Sequence, residues 1–160
     1  MSDHKDVRAI LVRAARAEAR RDGSRTIEAE HVLLAVAALE GSPAARLLAD
    51  AGLTEDAIRA ALDREWEQSL AVAGIAVRMG LLPEATPDRD RDPQIGESTK
   101  LMLRRAMDAP PKMARFGSVR ILVGLLGADR GRVARTLQAA GVDRAALHAK
   151  AAEALAQGIR

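Results

Sequence analysis

A chain of 160 residues that is 48% apolar, with 25 basic and 22 acidic residues and no cysteine, is long enough to bury a core unaided and cannot hold disulfides or thiolate metal sites. A net charge of +3 over so many ions is a mixed, solvated surface, not the one-sided basic field that nucleic-acid binding needs. The only aromatics are Trp66 and Phe116, so the core must be Ala, Leu, Val and Ile, a palette that favours helices and starves strands.

The N-terminus, Met1 to Asp6, is polar, and no signal peptide is expected there. The longest apolar stretch, from Leu70 to Val77, is far shorter than the roughly 20 residues a bilayer demands. With no thiol to protect, the chain suits a reducing compartment, and a cytoplasmic location is expected.

Asp3 opens a first helix whose apolar positions Val7, Ile10, Leu11 and Ala14 recur at helical spacing, and Gly23 ends it. A second helix runs from Ala29 to about Glu40 and stops at Gly41. Ser42 then caps a third with Pro43 at its first position, and Gly52 closes that one. Thr54 caps a fourth, which passes Ile58, Leu62 and Trp66. From 73 to 96 the pattern fails: Gly74, Gly80, Pro83, Pro87 and Pro93 surround the run Asp88 to Asp92, which reads as an exposed linker with a mobile tip. A brief extended pairing over Ala71 to Val77 is expected within this region. Beyond it, helices are predicted from Glu97 to before Pro110, from a Ser118 cap through Leu126, from Gly131 to Ala140, and from an Asp143 cap through Leu155.

At an offset of 89 residues the halves coincide. Ala45-Arg46 falls on Ala134-Arg135, Leu48 on Leu137, Ala51-Gly52 on Ala140-Gly141, and the caps Thr54 and Asp143 superpose. Shared stops and caps mean that the chain turns in the same places twice. The expected fold is all-α: two pseudo-twofold related four-helix repeats, 1–72 and 97–160, joined by the 73–96 linker into one domain with a seam between them.

The stretch Thr26-Ile27-Glu28-Ala29-Glu30-His31-Val32-Leu33-Leu34, followed by Glu40-Gly41, Ala44-Ala45-Arg46-Leu47-Leu48 and Ala51-Gly52-Leu53, resembles the Clp N-terminal domain family of Hsp100 unfoldases. The hallmark of that family is a twice-repeated Tyr-Ile-Gly-Thr-Glu-His-Ile-Leu-Leu. The opening helix, with Ala15-Arg16-Ala17-Glu18-Ala19-Arg20, fits as well. The second copy, Phe116-Gly117-Ser118-Val119-Arg120-Ile121-Leu122-Val123, is degenerate. The resemblance implies a module that docks clients and adaptor proteins for the ATPase ring of a Clp protease. This chain has no Gly-Lys pair, hence no phosphate-cradling loop of the ring's own kind. A free-standing N-domain, acting as adaptor or decoy without catalysis, cofactor or metal, is the expectation.

Some relatives bind phosphorylated arginine through the Glu of the motif, since a carboxylate pairs bidentately with guanidinium while helix N-terminal amides hold the phosphate. The resemblance places Glu30 in that role, with His31 beside it and the start of the helix at Ala29. Glu30 is also favourable in a first helical turn whatever its function, and His31 reads first as a hydrogen-bonding structural residue. In the second copy Val119 and Arg120 replace the pair. A further family surface, used by adaptors and cyclic peptides, maps to Lys100, with His4 and Ile95 where aromatics usually stand.

His4, His31 and His148 are scattered, without the spacing of a zinc hydrolase. Ser98 lacks the second glycine of a nucleophile elbow and reads as a helix cap. An alternative of another class is a nucleic-acid-binding regulator using Arg13, Arg16, Arg20, Arg21, Arg104, Arg105, Arg115 and Arg120. Those arginines are expected on exposed faces among acidic residues, and two aromatics make no stacking platform.

Overall fold

The computed structural model describes residues 2–76 and 78–160, and of residues 2–4 and 79 the backbone only. Among the described residues the chain forms eight long helices and a single 3-10 turn, Met79–Leu81. Helix α1 runs as Ser2–Arg8, a π-helical stretch Ala9–Ala14, and Ala15–Arg21. Then come α2 (Ala29–Ala38), α3 (Pro43–Asp50) and α4 (Glu55–Val72). After the long connection follow α5 (Glu97–Asp108), α6 (Ser118–Leu126), α7 (Arg132–Ala139) and α8 (Arg144–Ala156). The starts of α6, α7 and α8 lie 89 residues beyond those of α2, α3 and α4, so the turns repeat as the glycine and cap pattern requires.

Local chemistry accounts for these boundaries. Ser42, Thr54 and Asp143 each accept the backbone N–H three residues on, supplying the first turns of α3, α4 and α8 with an acceptor. Gly52 and Gly141 both sit at positive φ, 78° and 72°. That conformation lets Leu53 donate to the Leu48 carbonyl and Val142 to the Leu137 carbonyl, closing two equivalent helix ends.

Helices that are apolar all round end up buried all round. Every residue of α2 from Ala29 to Val36 is buried, and so is all of α6 from Ser118 to Leu126. These two equivalent helices touch each other at the centre. The remaining helices pack around them: α5 and α8 against α6, α3 against both α6 and α8, and α4 against α7.

Several local expectations are corrected. Ala71 and Val72 complete α4, so no extended segment forms there, and Val77 lies outside the described residues. The paired extended residues among those described are instead β1 (Thr26–Ile27) and β2 (Gln94–Ile95), parallel, with Thr26 opposite Gln94 and Ile27 opposite Ile95. Two residues are too few for an alternating pattern to show. Helix α2 ends two residues early, at Ala38. Gly117, not Ser118, occupies the cap of α6, and the Ser118 hydroxyl donates to the Arg160 carbonyl. Asp3 lies within α1, its side chain outside the described residues. The charged run is held down, because Asp88 donates its N–H to the Arg20 carbonyl, Arg20 donates to the Arg91 carbonyl, and Arg16 pairs with Asp92.

Candidate functional site

The first turn of α2 is where both repeats meet. Its cap residue, Glu28, gives its N–H to His31 Nδ1 at 2.9 Å. Because Nδ1 accepts, the ring proton sits on Nε2, which donates to Asp22 at 2.7 Å. His31 is therefore fully engaged in tying the helix start to the end of α1. The Ala29 N–H donates to Ser98 Oγ at 2.8 Å, and that hydroxyl in turn donates to Glu28. Ser98 thus serves the start of α2, while Gly96 holds the cap position of α5. The Thr99 hydroxyl donates to the Ile27 carbonyl at 2.6 Å, completing the seam between α2 and α5.

Glu30 points the other way, toward α7. Its carboxylate accepts from Arg132 Nη1 at 2.9 Å. Arg132 also donates through Nε to Glu65 on α4 at 3.2 Å, and Arg135 reaches the other Glu65 oxygen at 2.7 Å. Ser69 donates to Glu65 as well, at 2.8 Å. The Arg132 guanidinium lies over the half-exposed Trp66 ring, 5.8 Å from its centroid. Glu30 and Glu65 are both buried, at 8% and 2% exposure, whereas the Arg132 side chain is 36% exposed. Two inward carboxylates converge on one guanidinium whose outer edge faces water. These groups are suited to holding charge in place.

Sequence reasoning missed Glu65, Trp66, Arg132 and Arg135 as members of this junction. Two signals were present. Glu65 follows Ile58 and Ala61 at helical spacing on the buried face of α4, a carboxylate where an apolar residue belongs. Arg132 stands at the first position of α7, where the helix macrodipole disfavours a cation, so an external anion has to compensate.

Burial pushes the Glu65 carboxyl up, but hydrogen bonds from Arg135 and Ser69 and the two arginine charges outweigh it, leaving it below the ordinary carboxylate value. Glu28 behaves alike: burial raises it, and hydrogen bonds from Ser98 and Thr26 bring it below. A carboxyl depressed in the folded state stabilises above its unfolded value of 4.5, and that contribution is lost as pH falls through the folded value. Urea melts taken from about pH 6 to about pH 3 should show stability falling below that point. The slope should be shallower in a Glu28→Gln/Glu65→Gln double variant.

The second candidate set lies along β2 and α5. Lys100 pairs with Glu97 at 2.8 Å on an exposed edge, beside the exposed aliphatic side chains of Ile95 and Leu101. The side chain of His4 lies outside the described residues; its backbone is in the first turn of α1. The two sets adjoin through the Ala29–Ser98 bond.

Four of the eight arginines of the nucleic-acid reading are engaged within the chain, and Arg120 is buried where an exposed face was expected, which corrects that expectation. Arg120 is 2% exposed, and its guanidinium donates to the carbonyls of Ala106, Ala109 and Pro111. Arg16 and Arg20 bind the linker, and Arg105 donates to the Gly124 carbonyl. The hollows at the surface are open: one of about 440 Å³ is bordered by Arg130, Arg135 and Arg144, another of about 610 Å³ by Leu39, Pro43 and Ile159. Among the described residues no three His, Asp or Glu side chains come together as metal ligands. No single helix among them is long and apolar enough to cross a membrane.

A family model described as the Clp repeat (R) N-terminal domain matches residues 5–115. That span ends just before the degenerate second copy of the motif. Among solved structures, the N-terminal domain of the caseinolytic protease associated chaperone ClpD from Arabidopsis thaliana is similar, with a TM-score of 0.67 at 24% identity, over 96% of this chain and 93% of that one. No curated protein matches the chain.

Proposed function

The chain belongs to the Clp repeat N-terminal domain family, and from that premise we propose that it is a non-catalytic docking accessory of a cytoplasmic Clp protease system. Domains of this family bind the substrates and adaptors of Clp chaperones. In the proposed reading, repeat 1 (1–72) and the degenerate repeat 2 (97–160), joined by 73–96, present surfaces that take clients, adaptors or small peptide ligands. A ligand held here is not held on the ring's own N-domain, so competition as a decoy is the simplest mechanism. The observation that carries the reading is the family match over residues 5–115.

Two surfaces are assigned. The first is a phosphoarginine-type site at Glu30, which would take the guanidinium, whereas Ala29 and His31, expected beside it, are engaged with Ser98 and Asp22 on the other side of the helix start. The second is the adaptor or cyclic-peptide surface at Lys100, with His4 and Ile95 in the two places where relatives carry aromatics. Titration of the purified chain with a phosphoarginine peptide tests the first directly. Saturable binding that is lost in Glu30→Ala supports it, and equal binding by both proteins, or none by either, removes it. An adaptor-derived peptide should weaken in Lys100→Ala and not in Glu30→Ala.

A further inference from the structure

The Glu30 carboxylate is not vacant. It is occupied by a guanidinium of the same chain, brought from a helix 102 residues away in sequence. Arg132 starts α7, a helix of eight residues whose cap, Gly131, has φ 101° and supplies no side-chain acceptor. The first turn of α7 therefore carries a cation at its positive end with nothing local to offset it. What holds Arg132 in place is distant: Glu30, Glu65 and the face of Trp66. Of these, only the Glu30 contact runs through the terminal Nη1; the Glu65 contact runs through Nε, closer to the backbone. Glu65 has Arg135 and Ser69 besides. Glu30 has no second ion pair among the described contacts. A rotation of the Arg132 guanidinium can thus free Glu30 while leaving Glu65 compensated and buried.

We propose that Arg132 is an internal plug: its guanidinium stands in the place of a ligand's guanidinium, and the pocket opens when it lets go of Glu30. The inference rests on the reading of Glu30 as a ligand residue and adds how that residue is regulated. The ligand class follows from the plug, a planar cation able to replace it on a carboxylate, so a guanidinium carried by a partner polypeptide. A competitor already in the site lowers apparent affinity by the fraction of time that it is seated. The half-exposed outer edge of Arg132 is the face at which exchange begins.

The test uses the full chain and a phosphoarginine peptide, followed by Trp66 fluorescence and calorimetry. Wild type is compared with Arg132→Met, which keeps the aliphatic cover on Trp66 and removes the charge, and with Arg132→Lys, which keeps the charge and loses the fork. Arg132→Met should bind roughly tenfold tighter than wild type, with Arg132→Lys between them, and the gain should vanish in Arg132→Met/Glu30→Gln. Circular dichroism of each variant shows that the fold is retained. Binding by wild type and Arg132→Met with equal affinity, lost in Glu30→Gln, overturns the plug and leaves the pocket standing. Weaker binding by Arg132→Met overturns the plug too, and makes Arg132 part of the ligand's own cradle. Binding by neither protein overturns the pocket and the plug together.

Discussion

Gly124→Leu is expected to be among the most damaging single substitutions in this chain, costing about 3 kcal/mol or more. Gly124 lies inside α6, where alanine would ordinarily stabilise by about 1 kcal/mol through helix propensity. Here a Cβ would stand 2.5 Å from the Met102 carbonyl oxygen and 2.8 Å from the Ala106 Cβ. Both belong to α5, and one is backbone, so the clash cannot be relieved by turning a side chain. The two helices would have to separate along their whole contact, opening the core around Met102 and Ala106. Even Gly124→Ala should lose about 1 kcal/mol or more, since overpacking outweighs the propensity gain. Denaturant midpoints of the two variants against wild type measure this. A stabilised Gly124→Ala would show that α5 and α6 do not approach as closely as described.

Arg120→Met should cost about 2 kcal/mol, although it replaces a buried cation with an apolar side chain of similar length. Burial lowers the basicity of Arg120, as it must for a charge taken out of water, and no carboxylate is paired with it. Its compensation comes from carbonyls. The Ala106 carbonyl would normally accept from the N–H of residue 110, which is proline and has none. Arg120 Nη1 donates to Ala106 at 2.9 Å and to Ala109 at 2.8 Å, while Nη2 donates to Pro111. Removing the guanidinium strands the Ala106 and Ala109 carbonyls in the core, each worth about 1–3 kcal/mol when unpaired, while Pro111 keeps the Ala114 N–H, against about 2 kcal/mol gained by burying methionine. The loss wins. Arg120→Lys should fall between, because one ammonium reaches fewer of the three. Thermal melts of the three proteins give the order.

These two residues show where sequence reading stops. Helix stops and caps were legible because their chemistry is local: Ser42, Thr54 and Asp143 bond three residues on, and Gly52 and Gly141 close their own helices. The 89-residue repeat followed from the same signals. Arg120 was read as an exposed cation because charge is normally solvated, and only Pro110 and Pro111, about ten residues earlier, hinted that carbonyls needed a donor. In the first repeat the equivalent position is His31, which serves the start of its own helix. Identical places in the two halves thus do different structural work, and periodicity cannot reveal that. The π-helical stretch at Ala9–Ala14 left no mark in the apolar spacing. Of the candidate site, Glu30 and Lys100 were named from the motif. Their true partners were divided by range: Glu97 is three residues from Lys100, while Arg132 is 102 residues from Glu30 and depends on how the repeats fold together.

The most direct measurement is the rate at which a Clp unfoldase–protease degrades a fluorescent client while the purified chain is titrated in. With a ring whose own N-domains recruit the client, the rate should fall saturably as the chain takes up the shared ligand. With a ring lacking those N-domains, it should not change. A rate unaffected in both, or reduced equally in both, would contradict a docking module that competes for what the ring's N-domains bind.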